Sequence, residues 1–294
     1  MSKNVAFYLL GSKGLIVLKD FLQKFTSINI NCVVIGEDQS VENDYSKDII
    51  ELCIENRISF YKRKDVIIFN SNLIFVVGWR WIINQNQEKL IVLHDSLLPR
   101  YRGFNPLVTA LLNNDREIGV TALFAAKEYD RGEIIKQKSI IIDYPIKLIE
   151  VINKISEIYS EIINEIFYDF LQNNKIKSIK QDESKASYSL WRDEYDYKID
   201  WRKSAAYISR FIDSVGYPYS GAQTTFEDKT CIIIDSEAIE DVLIENRTVG
   251  KIIFIENGFP IIVCGQGLLK IKQMKNKETN ENMLPMSKFR ARFN

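Results

Sequence analysis

Leu90-Ile91-Val92-Leu93-His94-Asp95-Ser96-Leu97-Leu98-Pro99-Arg100-Tyr101-Arg102-Gly103 is the stretch on which the reading of this chain turns. Residues 90–93 form an apolar run fit for a buried strand, and it ends at the only histidine among 294 residues. A polar loop punctuated by proline and glycine follows. Such a strand delivers His94 to the carboxyl edge of a sheet, where open α/β folds bind their ligands. Downstream, Gly119-Val120-Thr121-Ala122-Leu123-Phe124 reads as a strand running into the tight acidic turn Glu128-Tyr129-Asp130-Arg131-Gly132. Taken alone, Asp130 is also what a turn before a glycine asks for, and a lone histidine is also a satisfied structural residue.

Working outward, the chain alternates strand and helix. Val5-Ala6-Phe7-Tyr8-Leu9-Leu10 is closed by Gly11-Ser12-Lys13-Gly14, and helical spacing follows through Leu15, Leu18, Leu22 and Phe25. Main-chain N–H groups at a helix start suit an anion, which makes Gly11, Ser12 and Lys13 candidates for a substrate phosphate. The alternative is that the glycines only permit the turn, and the full dinucleotide fingerprint is absent. Residues 30–35 read as a strand, 45–57 as a helix and 58–61 as a short strand. The continuous run Leu73-Ile74-Phe75-Val76-Val77 suits a central strand covered on both faces. It ends at Gly78-Trp79-Arg80-Trp81-Ile82-Ile83.

A helix over 106–112, a strand in Ser139-Ile140-Ile141-Ile142 and an amphipathic helix over 146–171 complete a mostly parallel, Rossmann-like α/β domain. The polar stretch 172–185 marks a boundary, with domains at 1–180 and 181–294. Past it come a helix carrying Ala205, Ile208, Phe211 and Ile212, and short strands over 222–226, 230–234, 249–255, 260–264 and 267–271. Glycine and polar turns between them predict a small, OB-like β-barrel.

Composition narrows the function classes. Hydrophobic residues at 46% and charged ones at 27% are ordinary for a chain that buries a real core. Lys+Arg and Asp+Glu stand at 39 each, so no global basic field exists to attract a nucleic acid. Cys32, Cys53, Cys231 and Cys264 show no metal-ligand spacing and read as buried, reduced thiols. No signal peptide or membrane-spanning run is visible, and the expected location is the cytoplasm.

The two blocks around His94 and Asp130 together resemble the folate-dependent formyltransferases, whose motif is roughly Asn-x-His-x-Ser-Leu-Leu-Pro-x-Tyr/Phe-Arg-Gly, then Gly-Val-Thr, then Asp-x-Gly. The match runs through His94, Ser96, Leu97, Leu98, Pro99, Arg102, Gly103, Gly119, Val120, Thr121, Asp130 and Gly132. Ile199-Asp200-Trp201 and Pro218-Tyr219-Ser220-Gly221-Ala222 also resemble the carboxy-terminal domain of the tRNA-type members. The resemblance implies 10-formyltetrahydrofolate as co-substrate and His94, held by Asp130, as proton relay. It implies a folate pocket lined by Trp79, Trp81, Ile83, Leu97 and Glu128, with plain packing as the alternative for Trp79 and Trp81. The family's catalytic asparagine falls at Val92. Three readings of that departure stand: another donor such as charged His94 or Asn105 takes over, a related acyl group is transferred, or the chain binds its ligand with little turnover.

As acceptor, the resemblance leaves an amino sugar or a tRNA. The segment Gly36-Glu37-Asp38-Gln39-Ser40-Val41-Glu42 is short and acidic where the tRNA enzymes carry a basic insertion. A nucleotide-linked amino sugar is therefore the expected substrate, with Arg80, Arg100, Arg102 and Asn105 as candidate contacts. Arginines suit diphosphate oxygens, though solvated surface arginines are the plain alternative. Sugar formyltransferases are often dimers, which is the basis for expecting a homodimer.

Overall fold

In the computed structural model, which describes residues 3–39, 41–65, 68–83, 89–173 and 175–294, the chain divides into two units. The first comprises Met1–Ala110, Asp115–Ile142 and Glu150–Trp191; the second comprises Leu111–Asn114, Asp143–Ile149 and Arg192–Asn294. The main division thus falls at 191/192, beyond the expected 180/181. Residues 181–191 stay with the first unit because they hydrogen-bond to it, as described below.

The first unit is built on a seven-stranded sheet. Its strands are β1 (Val5–Leu9), β2 (Ile30–Ile35), β3 (Phe60–Lys62), β4 (Leu73–Val77), β5 (Leu90–His94), β7 (Glu117–Phe124) and β8 (Ile134–Ile141). The spatial order is β3-β2-β1-β4-β5-β7-β8, with the first five parallel and the last two antiparallel. The chain winds outward from β1 to β3 and then returns on the other side of β1 at β4. The order therefore reverses between β1 and β4, and the carboxyl ends of β1, β4 and β5 share one edge.

Alternation along the strands sorts the side chains onto two faces. Phe7 and Phe75 meet on one face, and Phe7 packs against Phe21 of helix α1 (Gly11–Lys24), which in turn meets Phe167 of helix α4 (Leu148–Asn173). The apolar stripe of α4 includes Val151, Ile155, Ile158, Tyr159, Ile162, Ile166 and Phe167, all buried at three- and four-residue spacing. The opposite face carries Ala6, Tyr8, Cys32, Val34, Ile74, Val76 and Leu90, covered by Phe69, Trp79, Ile83 and Val92. Helices α2 (Ser46–Glu55) and α3 (Pro106–Leu112) fall where the periodicity places them.

Strand β8 begins five residues before the expected 139. It is an edge strand whose Lys136 and Lys138 reach out to Glu165 and Glu161 of α4, so its first half carries no apolar run. Two short strands were not foreseen: β6 (Arg102–Gly103) pairs in parallel with β9 (Tyr188–Ser189).

The second unit holds helix α5 (Ala205–Val215), capped by Ser204, whose hydroxyl accepts from the Tyr207 N–H at 3.2 Å. Five antiparallel strands follow: β10 (Ala222–Phe226), β11 (Lys229–Ile239), β12 (Ile252–Glu256), β13 (Phe259–Val263) and β14 (Leu268–Asn276), in the order β10-β11-β14-β13-β12. Residues 291–294 bridge both edges of this sheet. Asn294 exchanges hydrogen bonds with Thr225 on the β10 side, and the Ile252 N–H of β12 donates to the Ala291 carbonyl at 3.2 Å. The sheet thus curls into the small barrel. Trp201 plugs it, its indole N–H donating to Thr224 Oγ1 at 3.0 Å.

All four cysteines are buried free thiols, and burial pushes Cys32, Cys53 and Cys264 up to about 12. Such thiols are inert. Among the described residues, no helix is long and apolar enough to cross a membrane.

Candidate active site

His94 is the last residue of β5, on the same face as Leu90 and Val92, and both of its ring nitrogens look at acceptors. Nε2 lies 2.8 Å from the Tyr101 carbonyl oxygen, and Nδ1 lies 3.5 Å from Asp130 Oδ1. A carbonyl and a carboxylate both only accept, so the charged ring serves both partners as donor; in the neutral ring the nearer Tyr101 carbonyl keeps the proton on Nε2 and leaves Nδ1 open to accept one. The carboxylate is held in turn: its Oδ2 accepts the Gly103 N–H at 2.8 Å. Asp130 itself adopts a left-handed backbone, φ 55°. A carboxylate beside an imidazole stabilises its charged form.

Sheet register explains the second motif. His94 pairs with Thr121 on β7, and Thr121 pairs with Gln137 on β8, so the three form one polar row across the sheet. The buried Thr121 hydroxyl donates to the Ser96 carbonyl at 2.6 Å and accepts from the Leu98 N–H at 3.0 Å. Gln137 Nε2 reaches both Thr121 Oγ1 and the Leu98 carbonyl at 2.8 Å. The row thereby buttresses the loop after His94. The neighbouring row is apolar: Val92 pairs with Leu123 and Leu123 with Ile134, and all three pack with Leu98. Val92 is thus a fitted part of this floor, without a polar atom to offer.

The motif glycines are close-approach residues. A Cβ at Gly119 would stand 2.4 Å from the Lys138 carbonyl oxygen and 2.5 Å from the Leu97 side chain. One at Gly132 would stand 1.7 Å from the Phe124 carbonyl oxygen. Leu97, expected at the folate, seats on Gly119 and remains half-buried.

On the other face, Asp95 turns away from the ring. It pairs with Lys13 Nζ and accepts from the Tyr159 hydroxyl at 2.7 Å. Burial pushes the Asp95 carboxyl up, but the Lys13 ammonium and the hydrogen bonds from Lys13 and Tyr159 outweigh it and hold the group below the usual carboxylate range. Lys13 is therefore committed to an internal ion pair. Its expected contact with a substrate phosphate stands as a proposal. Gly11 and Ser12 open α1, whose preceding residue Leu10 supplies no side-chain cap.

Arg102 is also engaged within the fold. Its side chain is fully buried, its guanidinium grips Glu183 through Nη1 and Nη2 at 2.8 Å each, and Nε and Nη2 donate to Gln181 Oε1. With its donors so engaged, it is an internal clamp and cannot reach a diphosphate. Arg100 stacks on the Tyr101 ring and pairs with Asp115 at 3.0 Å while staying half exposed. Arg80 pairs with Asp38 at 2.9 Å. Asn105, in a left-handed conformation (φ 47°), ends the loop directly before α3.

Trp79 and Trp81 meet edge to face at 5.1 Å, with Tyr8 against Trp79 and the Arg63 guanidinium over Trp81. Both indoles lean on Gly36, and Ile83 packs on the same apolar cluster as Trp79. The buried Trp79 indole N–H has no hydrogen-bond partner among the described residues. Flat rings and an orphaned donor fit a heterocycle with an accepting edge. Glu128 lies elsewhere, in an open groove of about 350 Å³ shared with Ala126, Lys127, Arg131 and Glu183. Gln137, Tyr159, Gln181 and Glu183 were not singled out from sequence. Only sheet register could have pointed to Gln137, and Gln181 and Glu183 sit in a stretch with no periodic signal.

A formyl transferase family model matches residues 64–166, and the model for the formyl transferase carboxy-terminal domain matches residues 193–293. Methionyl-tRNA formyltransferase of Methylobacillus flagellatus is 30% identical over 183 residues, covering 62% of this chain; the match spans only 58% of that protein. Among solved structures, an N-formyltransferase from Helicobacter canadensis in complex with folinic acid and dTDP-3-aminofucose superposes with a TM-score of 0.69 at 17% identity, covering 92% of this chain and 99% of the other. WlaRD, a sugar 3N-formyl transferase with dTDP and 5-N-formyl-THF, gives 0.68 at 20% identity, covering 92% and 97%. At these identities the structural likeness is one of fold. With a matched family model in each half, the chain belongs to the folate-dependent formyltransferases.

Proposed function

We propose that this chain moves a formyl group from 10-formyltetrahydrofolate to the amine of a nucleotide-linked amino sugar, with His94, held by Asp130, handling the proton. The observation that carries the reading is the buried ring at the carboxyl edge of β5, with Nε2 on the Tyr101 carbonyl and Nδ1 facing Asp130. Bound there, the folate would supply the formyl carbon as electrophile and the leaving nitrogen. Trp79, Trp81 and Ile83 would hold its flat ring, with the Trp79 N–H as donor, and Leu97 would lie on the path to His94. The Nδ1 lone pair accepts the proton shed by the attacking amine, Asp130 stabilises the imidazolium that results, and the imidazolium would then give that proton to the departing folate nitrogen. Nδ1 and Oδ1 stand 3.5 Å apart, a loose contact of the kind that tightens when substrate arrives.

Val92 leaves the tetrahedral oxyanion without the family's side-chain donor, a loss worth about 3 kcal/mol in other enzymes. The protonated ring or Asn105 is the replacement from this loop. The sugar reading is supported by the acidic segment after β2, two of whose carboxylates serve the fold: Glu37 pairs with Lys62 and Asp38 with Arg80. It is also supported by two solved structures of the same fold that match this chain over nearly their full length, one named a sugar 3N-formyl transferase and the other an N-formyltransferase in complex with dTDP-3-aminofucose. The sequence relative named for methionyl-tRNA supports the second reading.

The deciding experiment is product mass after incubation with 10-formyltetrahydrofolate and a panel of nucleotide-linked amino sugars that includes dTDP-3-aminofucose. Methionyl-tRNA runs in parallel and His94→Ala serves as blank. A formyl mass gain on a sugar, absent in the variant, upholds the proposal. Gain on methionyl-tRNA alone replaces the sugar with the tRNA. Gain that survives His94→Ala removes the histidine from the chemistry. If nothing is formylated until Val92→Asn is introduced, the wild-type chain is a binder.

A further inference from the structure

Residues 178–189 begin within the polar stretch read as a domain boundary, yet they lie strapped across the loop that follows His94 and the turn that carries Asp130. The Ile134 and Ile179 backbones exchange hydrogen bonds at 2.8 Å, the Arg102 N–H donates to the Ser187 carbonyl at 2.8 Å, and the Phe104 N–H donates to the Ser189 carbonyl at 3.1 Å. Two side chains of the strap touch both halves of the pair's support: Glu183 binds the guanidinium groups of Arg102 and Arg131, and Gln181 reaches the main chain of the Asp130 turn. Gln181 Nε2 donates to the carbonyls of Asp130 at 2.7 Å and Gly132 at 2.8 Å, while its Oε1 accepts from Arg102 Nη2 at 2.7 Å. Gly103, next to Arg102, holds the Asp130 carboxylate. The result is a closed circuit: Asp130 carboxylate, Gly103 N–H, Arg102 guanidinium, Gln181 amide, Asp130 carbonyl.

From this circuit we infer that Gln181 is a positioning residue for the His94–Asp130 pair, an inference that rests on the catalytic reading of those two residues. Asp130 has a left-handed backbone, which a non-glycine residue keeps only when its surroundings hold it there. The Gln181 amide holds the carbonyls on both sides of Arg131. The 3.5 Å separation of Nδ1 and Oδ1 is at the limit of hydrogen bonding, so a small drift of the turn breaks the coupling. Removing Gln181 cuts this tie selectively. Arg102 keeps its two-pronged bond to Glu183, and β6 stays paired with β9, so the strap itself remains attached.

The single histidine makes the test direct. With [15N]histidine the protein shows one pair of ring-nitrogen signals, and Asp130→Asn defines how the Nδ1 signal looks once its carboxylate is gone. Gln181→Ala is expected to shift Nδ1 in the same direction and to leave Nε2, which reports the Tyr101 carbonyl, in place. Gln181→Glu keeps an acceptor for Arg102 but brings no donor to the carbonyls, and should share the shift even if the alanine variant folds poorly. Ser178→Ala, which loosens the strap at Glu133, should leave Nδ1 untouched. On the acceptor that the panel identifies, kcat of Gln181→Ala should fall by about 10- to 100-fold, the scale of a small misplacement of catalytic groups, with KM for the folate within about twofold. A wild-type Nδ1 signal in both Gln181 variants overturns the inference. Turnover that survives His94→Ala overturns the catalytic reading instead, and the Nδ1 signal still decides whether Gln181 positions the pair.

Discussion

His94 lies between two carboxylates that the fold treats in opposite ways. Asp95, its neighbour in the chain, turns to the α1–α4 face and is neutralised by Lys13 and Tyr159. Asp130, 36 positions downstream by residue number, meets the ring itself and is held by a main-chain N–H, with His94 as its ion-pair partner among the described residues. Strand alternation is the cause: consecutive residues at the end of β5 leave on opposite sides of the sheet. The carboxylate adjacent in sequence thus anchors the fold, and the distant one is available to the chemistry. Exchanging one atom in each tests the contrast. Asp130→Asn should lower turnover about 100-fold or more, the range for losing general acid–base function, with a small change in unfolding midpoint. Asp95→Asn should do the reverse. If the asparagine at 95 costs more turnover per folded molecule than the one at 130, the assignment of roles is wrong.

The ion pair can be tested from its other end. Lys13→Met leaves Asp95 charged, buried and without its cation, an effect of about 3–5 kcal/mol, read by urea titration at neutral pH. Joining it to Asp95→Leu should recover most of that loss, because an apolar pair of similar volume replaces a buried pair at little net cost. The acid limb gives the sign. The folded Asp95 carboxyl sits below its ordinary value of about 3.9, so its contribution is complete above that value and is lost as pH falls through the folded one. The wild-type urea midpoint should therefore drop in that window more steeply than that of the double variant. Parallel curves would mean that the pair adds nothing.

The scaffold was legible in sequence because its strands are apolar on both faces, as Leu73–Val77 and Val5–Leu9 show, and because its long helices carry full stripes. His94 and Asp130 stood out through motif spacing, and the structure brings them within 3.5 Å. Arg102 and Lys13 show what the local sequence does not carry. Arg102 looks like any loop cation until Glu183 and Gln181, about eighty positions away, are folded onto it. Lys13 likewise carries no mark of Asp95, 82 positions on. A local pattern reports what a residue is suited to, whereas a long-range partner decides whether it is already in use. The boundary stretch shows the same limit, since a strap held by main-chain bonds and polar side chains has no apolar period to betray it.

Thr121 offers the smallest of these tests and the one that separates loop support from chemistry. Its hydroxyl serves the Ser96 carbonyl, the Leu98 N–H and Gln137, and none of those contacts involves the His94 ring. Thr121→Val keeps the shape and removes the hydroxyl, leaving buried main-chain groups on the loop short of partners, an effect of about 1–3 kcal/mol. Thr121→Ser keeps the hydroxyl and should stay close to wild type. Thermal unfolding of the valine variant should shift down by several degrees, and its turnover should fall less than that of Asp130→Asn because the ring keeps both acceptors. A valine variant as inactive as Asp130→Asn, yet with unchanged stability, would move Thr121 from the support of the loop into the reaction itself.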